Sequence, residues 1–118
     1  MPTIAVIQTH PTFGNLSGNH AAILELIAQN PADVYVIPEL YLSGYTFSTP
    51  EEVRSCALAP KNPYFDELAE VTSERGIAIC GGYAELGESG AIYNSAFFIG
   101  DGTPLCNYRK THLFYRET

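Results

Sequence analysis

Two stretches of this sequence hold residues whose types and spacing could do chemistry. The first, VYVIPELYLSGYTF at positions 34–47, contains a single acid, Glu39, and no other formally charged residue lies between Asp33 and Glu51. A carboxylate at the carboxyl end of a strand, among Leu40, Tyr41, Leu42 and Tyr45, should be poorly solvated. Desolvation raises its pKa, which suits a general base working near neutral pH. The same acid reads equally as a solvated loop residue or a cap for the following turn, and spacing alone does not choose between them. The second stretch is YRKTHLF at 108–114. It carries Lys110, one of only two lysines in the chain with Lys61. An ammonium fixed at a strand end beside aromatics can stabilise developing negative charge, or it can be an ordinary strand-end lysine. Arg109, its neighbour, points the opposite way if the strand persists, and is then solvated or ion-paired.

Other reactive side chains form no recognisable constellation. Cys56, Cys80 and Cys106 are widely spaced with no C-x-x-C pair, which fits reduced thiols better than a disulfide framework or a zinc site. Cys80 falls in an apolar strand, Cys56 in a short helix and Cys106 four residues before Lys110, so all three read as buried or structural thiols. His10, His20 and His112 lack ligand spacing, and His20 lies on an apolar helical stripe as a packed residue. Neither a metal nor an organic cofactor is expected. Gly81-Gly82 has no phosphate-loop context and reads as a site of close backbone packing. The triplet Asn15-Leu16-Ser17 has no secretory context.

The elements that must hold these residues follow from periodicity and punctuation. Residues 3–7, TIAVI, read as a strand ended by Pro11 and Gly14. Leu16, His20, Ile23, Leu24 and Ile27 form one helical face that Asn30-Pro31 terminates. Residues 34–37 form the next strand, and Pro38, lacking an N–H for the ladder, closes it and delivers Glu39 to its end. Asn62-Pro63 signals a second long helix, with Asp66 and Glu67 near its first turn, an apolar face of Tyr64, Leu68 and Val71, and a stop at Arg75-Gly76. Strands follow at 77–80, running on to Ala84, then at 91–99 and, after an Asp101-Gly102 hairpin turn, at about 103–108. The order is β-α-β-α-β-β-β. The first three strands are continuous apolar runs, the pattern of a sheet covered on both faces, yet two long helices can cover only one.

Composition bounds the rest. At 118 residues, 46% hydrophobic and 16% charged, the chain is expected to build one core. Its formal net charge of −7 argues against a nucleic-acid backbone or an anionic membrane surface as partner. With no basic leader and no long apolar run, it reads as a soluble, cytoplasmic protein.

Taken together, VIPELYLSGYTF and, some seventy residues later, NYRKTHLF, with IAICGGYAE and IYNSAFFIGDG between them, resemble the N-terminal part of the nitrilase superfamily, the carbon-nitrogen hydrolases. The resemblance runs from IAVIQTHPTFGNL onward over nearly the whole chain. It implies an α/β fold, half of an α-β-β-α sandwich, with a mixed sheet carrying helices on one face. On that view residues 1–118 are the N-terminal portion of a single carbon-nitrogen hydrolase domain. It also implies a Glu-Lys-Cys triad acting on a small amide, carbamoyl compound or nitrile. Glu39 matches the general base, Lys110 the stabiliser of the tetrahedral intermediate, and Tyr45 a position that often lines the substrate pocket. The family's nucleophile lies a few tens of residues beyond the lysine, and none of the three cysteines matches it. Such a half would expose a broad apolar sheet face and favour association, as a homo-oligomer. The competing expectation is a non-catalytic half-domain serving as a binding or assembly module.

Overall fold

The computed structural model describes residues 2–9, 11–12, 15–39, 41–42 and 50–109. Lys110, Tyr45, His10 and His112 lie outside them. The elements are β1 (Ile4–Val6), α1 (Leu16–Gln29), β2 (Val34–Val36), α2 (Pro50–Cys56), α3 (Pro63–Arg75), β3 (Ala78–Leu86), β4 (Ile92–Gly100) and β5 (Thr103–Arg109). The five strands form one mixed sheet in the order β1-β2-β3-β4-β5. β1, β2 and β3 run parallel, and β3, β4 and β5 are antiparallel hairpin neighbours. The expected order holds, with the short helix about Cys56 inserted ahead of α3.

Local chemistry explains each boundary. Asn15 caps α1 by accepting from the Gly18 amide at 3.2 Å. The hydroxyl of buried Tyr35 closes that helix's far end, donating to the Asn30 carbonyl at 2.6 Å and accepting from the Ala32 amide at 2.9 Å. Asn62 caps α3 through the Phe65 amide at 3.0 Å, Pro63 opens the helix, and Gly76, left-handed at φ 63°, ends it. The β4–β5 turn places Asp101 and Gly102 at φ 51° and 78°, the geometry that an Asp-Gly pair adopts in a two-residue hairpin. Thr72 of α3 accepts the Gly102 amide at 3.1 Å and so ties this turn to the helix layer.

Residue alternation then sorts the sheet into two unlike faces. Tyr35, Ile79 and Ile99 lie abreast in the register of β2, β3 and β4, and with Ile37, Tyr83 and Phe97 they pack against Ile23 and Ile27 of α1 and Phe65 and Leu68 of α3. Phe65 and Thr72 are buried as fully as Leu68, whereas Tyr64 and Val71 lie only partly buried, so the helix presents a face turned by one residue from the expected stripe. The opposite sheet face is exposed only in part, since by alternation Ala84 and Asn94 lie on it and are buried. Ile4 and Val6 are 63% and 71% exposed, and Leu105 and Tyr108 of β5 are also exposed. The expectation of helices on one face is met by α1 and α3, which share one core with the sheet.

Between the helices sits a buried polar cluster. His20 places Nε2 2.6 Å from the Glu67 carboxylate and Nδ1 3.3 Å from the hydroxyl of the fully buried Tyr41. Burial holds His20 below its ordinary value of 6.5, against an upward pull from the Glu67 hydrogen bond. The ring is therefore neutral at pH 7, and its partners assign the tautomer: Nε2–H donates to Glu67 and Nδ1 accepts from Tyr41. Between 6.5 and the lower folded value the unfolded chain binds a proton that the folded chain does not, so His20 favours the fold above 6.5 and loses that effect as pH falls. The urea midpoint should accordingly drop between about pH 7.5 and pH 5.5, and the drop should shrink in His20→Gln. A midpoint that rises on acidification over this interval would contradict the neutral assignment.

Candidate active site

Glu39 lies in the turn that follows β2 and Pro38. Its placement depends on Gly82 of β3: a Cβ built there would stand 3.0 Å from the Glu39 Cα and 3.3 Å from its Cγ. Ordinary carbon contacts are about 3.5–4.0 Å, so only glycine admits the turn this close. Gly81 next to it is restricted on the other face, where a Cβ would collide with Ile37. Close backbone approach is thus found at Gly82, while Gly81 makes room for the side chains of Ile37 and Phe97. The direction of the missing Cβ also fixes the face. Glu39 overlies the open, apolar side, with Ala78, Cys80 and Ala84 on the same side of β3 by alternation.

One expectation is corrected. Glu39 is exposed rather than poorly solvated. Its apolar sequence neighbours do not enclose it, because Tyr41 and Leu42 turn into the helix-side core instead. Nor are the three thiols all buried. Cys56 is buried and Cys80 half-buried with its thiol pushed up by burial, but Cys106 is exposed on β5.

The sequence reading passed over a second carboxylate. Glu85 of β3 is 1% exposed and sits on the helix side of the sheet. Four donors converge on it. Ser95 Oγ (2.7 Å) and Asn107 Nδ2 (2.9 Å) donate to Oε1, while Arg109 Nε (3.1 Å) and Nη2 (2.8 Å) donate to Oε2. The Tyr83 hydroxyl supports the group by donating to Asn107 Oδ1 at 2.6 Å, and the Arg109 guanidinium lies 4.0 Å over the Tyr93 ring. Burial acts to raise the Glu85 pKa, but the hydrogen bonds from Arg109, Ser95 and Asn107 together outweigh it and leave the group below its ordinary value. Arg109 is thus ion-paired on the helix side, one of the two outcomes expected of it. Among the described residues, no group of three or more His, Cys, Asp and Glu side chains could hold a metal ion.

Known proteins resemble this chain in sequence and fold. The sequence model of the carbon-nitrogen hydrolases matches residues 3–118. The "Hydrolase in pqqF 5'region" of Pseudomonas protegens is 41% identical over 86% of this chain and 34% of its own length. A nitrilase of Pyrococcus abyssi is 35% identical over 99% of this chain and 46% of its own. Among solved structures, an N-terminal amidase with a bound Asn-Glu peptide superposes with a TM-score of 0.84 at 25% identity, over 98% of this chain and 29% of that one. XC1258 of Xanthomonas campestris shares the fold with a TM-score of 0.81 at 22% identity, over 96% of this chain and 42% of that one. The chain belongs to the carbon-nitrogen hydrolase family, and its mixed sheet with helices is the fold of the nitrilase superfamily. It spans between about a third and a half of the length of these two sequence relatives. Among the described residues, no helix is long and apolar enough to cross a membrane.

Gly82→Ala tests the site's dependence on close approach. The fold should persist, since Gly82 has no left-handed φ to lose, while Glu39 should move away from β3 by a few tenths of an ångström. A crystal structure of the variant with Glu39 unmoved would contradict the account.

Proposed function

We propose that these residues form the N-terminal portion of a longer carbon-nitrogen hydrolase domain, which cleaves a small amide, carbamoyl compound or nitrile through Glu39, Lys110 and a cysteine beyond residue 118. The observation that carries this reading is the placement of Glu39: a carboxylate at the carboxyl end of β2, set over Gly82 on the open apolar face. Ligand sites in α/β sheets lie beyond the carboxyl ends of the strands. Covering this face with a second layer would take Glu39 out of water and make it more basic, which this chain alone does not do.

In this mechanism Glu39 accepts the proton of the cysteine thiol as the sulfur attacks the substrate carbon. The Lys110 ammonium balances the negative charge that develops on the amide oxygen or nitrile nitrogen. For an amide, the intermediate collapses with loss of ammonia or an amine, to which the proton from Glu39 is returned, and leaves a thioester. Glu39 then draws a proton from water, whose oxygen attacks the thioester carbon; the intermediate collapses to release the acid, and the expelled cysteine thiolate takes the proton back from Glu39. Tyr45 lines the substrate pocket. Similar proteins named nitrilase, (R)-stereoselective amidase and omega-amidase mark the range of substrates from which this one is drawn.

A second reading, a non-catalytic half-domain that uses its open face for assembly, is favoured by the exposure of Ile4 and Val6. The two readings part on the intact mass of the protein as its native source makes it. A mass near 12.9 kDa would favour the assembly module, with a homo-oligomer covering the open face.

For the enzymatic reading, Glu39→Gln in the complete native protein should lower kcat by at least about 100-fold, as loss of a general base does, without lowering the melting temperature. Wild-type rates in the folded variant, measured by ammonia release from an amide that the parent hydrolyses, would overturn the assignment.

A further inference from the structure

Two buried polar side chains of α1, Asn19 and His20, are neighbours in sequence. An asparagine there gives up helix propensity, and both groups give up hydration. They direct their hydrogen bonds at the same stretch of chain. Asn19 Nδ2 donates to the Leu42 carbonyl at 2.7 Å, and His20 Nδ1 lies 3.3 Å from the Tyr41 hydroxyl. Asn19 is itself fixed by a reciprocal pair with Thr12, accepting its amide at 2.9 Å and donating to its carbonyl at 2.8 Å. That pair also assigns which end of the side chain is the nitrogen. His20 is fixed in turn by Glu67 of α3.

These contacts bear on Glu39 because it lies between two anchors. Before it, the Ile37 amide donates to the Cys80 carbonyl at 2.8 Å, which carries the pairing of β2 with β3 to within two residues of the acid. That anchor is main chain, so most substitutions would leave it in place. After it, at Tyr41 and Leu42, the anchors are the side chains of α1. Glu39 packs over Gly82 on the side of the sheet away from the helices, whereas Tyr41 and Leu42 are buried in the core on the helix side. A carboxylate whose flanking residues are held at both ends has few places to stand, and releasing one end gives it more.

Resting on the reading of Glu39 as the general base, we infer that Asn19 and His20 are positioning residues: by tying Leu42 and Tyr41 to α1, they hold Glu39 at its place over Gly82. Tyr41 is fully buried, so its hydroxyl serves the reaction through His20 rather than by touching substrate.

The test uses the complete native protein carrying Tyr41→Phe, which removes one hydroxyl and keeps the ring in the core, or Asn19→Ala, which removes the amide. Both are assayed at a temperature where circular dichroism shows them folded. The first readout is kcat and KM for an amide that the parent hydrolyses. The second is the separation of the Glu39 and Gly82 Cα atoms in crystals of parent and variant. Positioning predicts kcat lower by about tenfold or more with KM changed less than about threefold, and a separation altered by on the order of 0.5 Å while β3 stays in place. A folded variant with parental kcat and Glu39 unmoved, only melting earlier, would reduce the pair to a structural role and overturn the inference. If Asn19→Ala does not fold, Tyr41→Phe decides. A parent that hydrolyses no amide or nitrile would refute the enzymatic reading instead, and the crystals would still show whether α1 holds Glu39 in place.

Discussion

Alternation along paired strands is the constraint on which the rest of this molecule depends. Nine consecutive residue pairs join β3 to β4, from Ala78 opposite Gly100 to Leu86 opposite Ile92. That register sends Ile79, Tyr83, Phe97 and Ile99 into the helix layer and leaves Cys80, Gly82 and Phe98 on the other side. A slip of one residue would put the bulky aromatic residues on the open face and the glycine against the helices, so the packing of α1 and α3 and the seat of Glu39 stand or fall together. The two glycines mark where this matters most. Gly81 makes room for Ile37 on the helix side, and Gly82 makes room for Glu39 on the open side.

The two faces are chemically unlike because they have different work. The helix side carries the hydrophobic core and two polar clusters, His20 with Glu67 and Tyr41, and Glu85 with Ser95, Asn107 and Arg109. Each is satisfied within the chain, so neither needs solvent or a ligand to explain it. The open side has the apolar composition of an interior without the cover. In the proposed reading a second layer of the carbon-nitrogen hydrolase domain would cover these strands, and the chemistry would lie between the two.

Much of this was legible in the sequence, and for physical reasons. Asn62-Pro63, Gly76, Asp101-Gly102 and Pro38 act on backbone angles and donors within a few residues, so they mark boundaries wherever the chain goes afterwards. The apolar period of α1 is likewise local. What escaped was non-local. Glu85 sits in a strand of small and apolar residues, and its four donors come from two other strands, so nothing in its own strand announces that it is satisfied. The available signal was Ser95 together with Asn107 and Arg109 spaced by two on the next strand, which alternation aims at one face. The solvation of Glu39 was misjudged for the same reason. Apolar neighbours in sequence suggested a dry site, but Tyr41 and Leu42 leave for the core and Glu39 stays at the rim. Cys106, read as a buried or structural thiol, lies exposed on the edge strand β5, where its pairing with Phe98 puts it on the face away from the helices.

The most direct test of the central claim, that chemistry occurs on the open face at the carboxyl end of β2, is a crystal structure of the complete native protein with an amide-bearing ligand bound. The account predicts the amide carbon between the Glu39 carboxylate and the Lys110 ammonium, on the side of β3 that carries Cys80 and Gly82. A ligand held on the helix side, or with Glu39 out of hydrogen-bond reach of both the ligand and any cysteine thiol beside it, would contradict it.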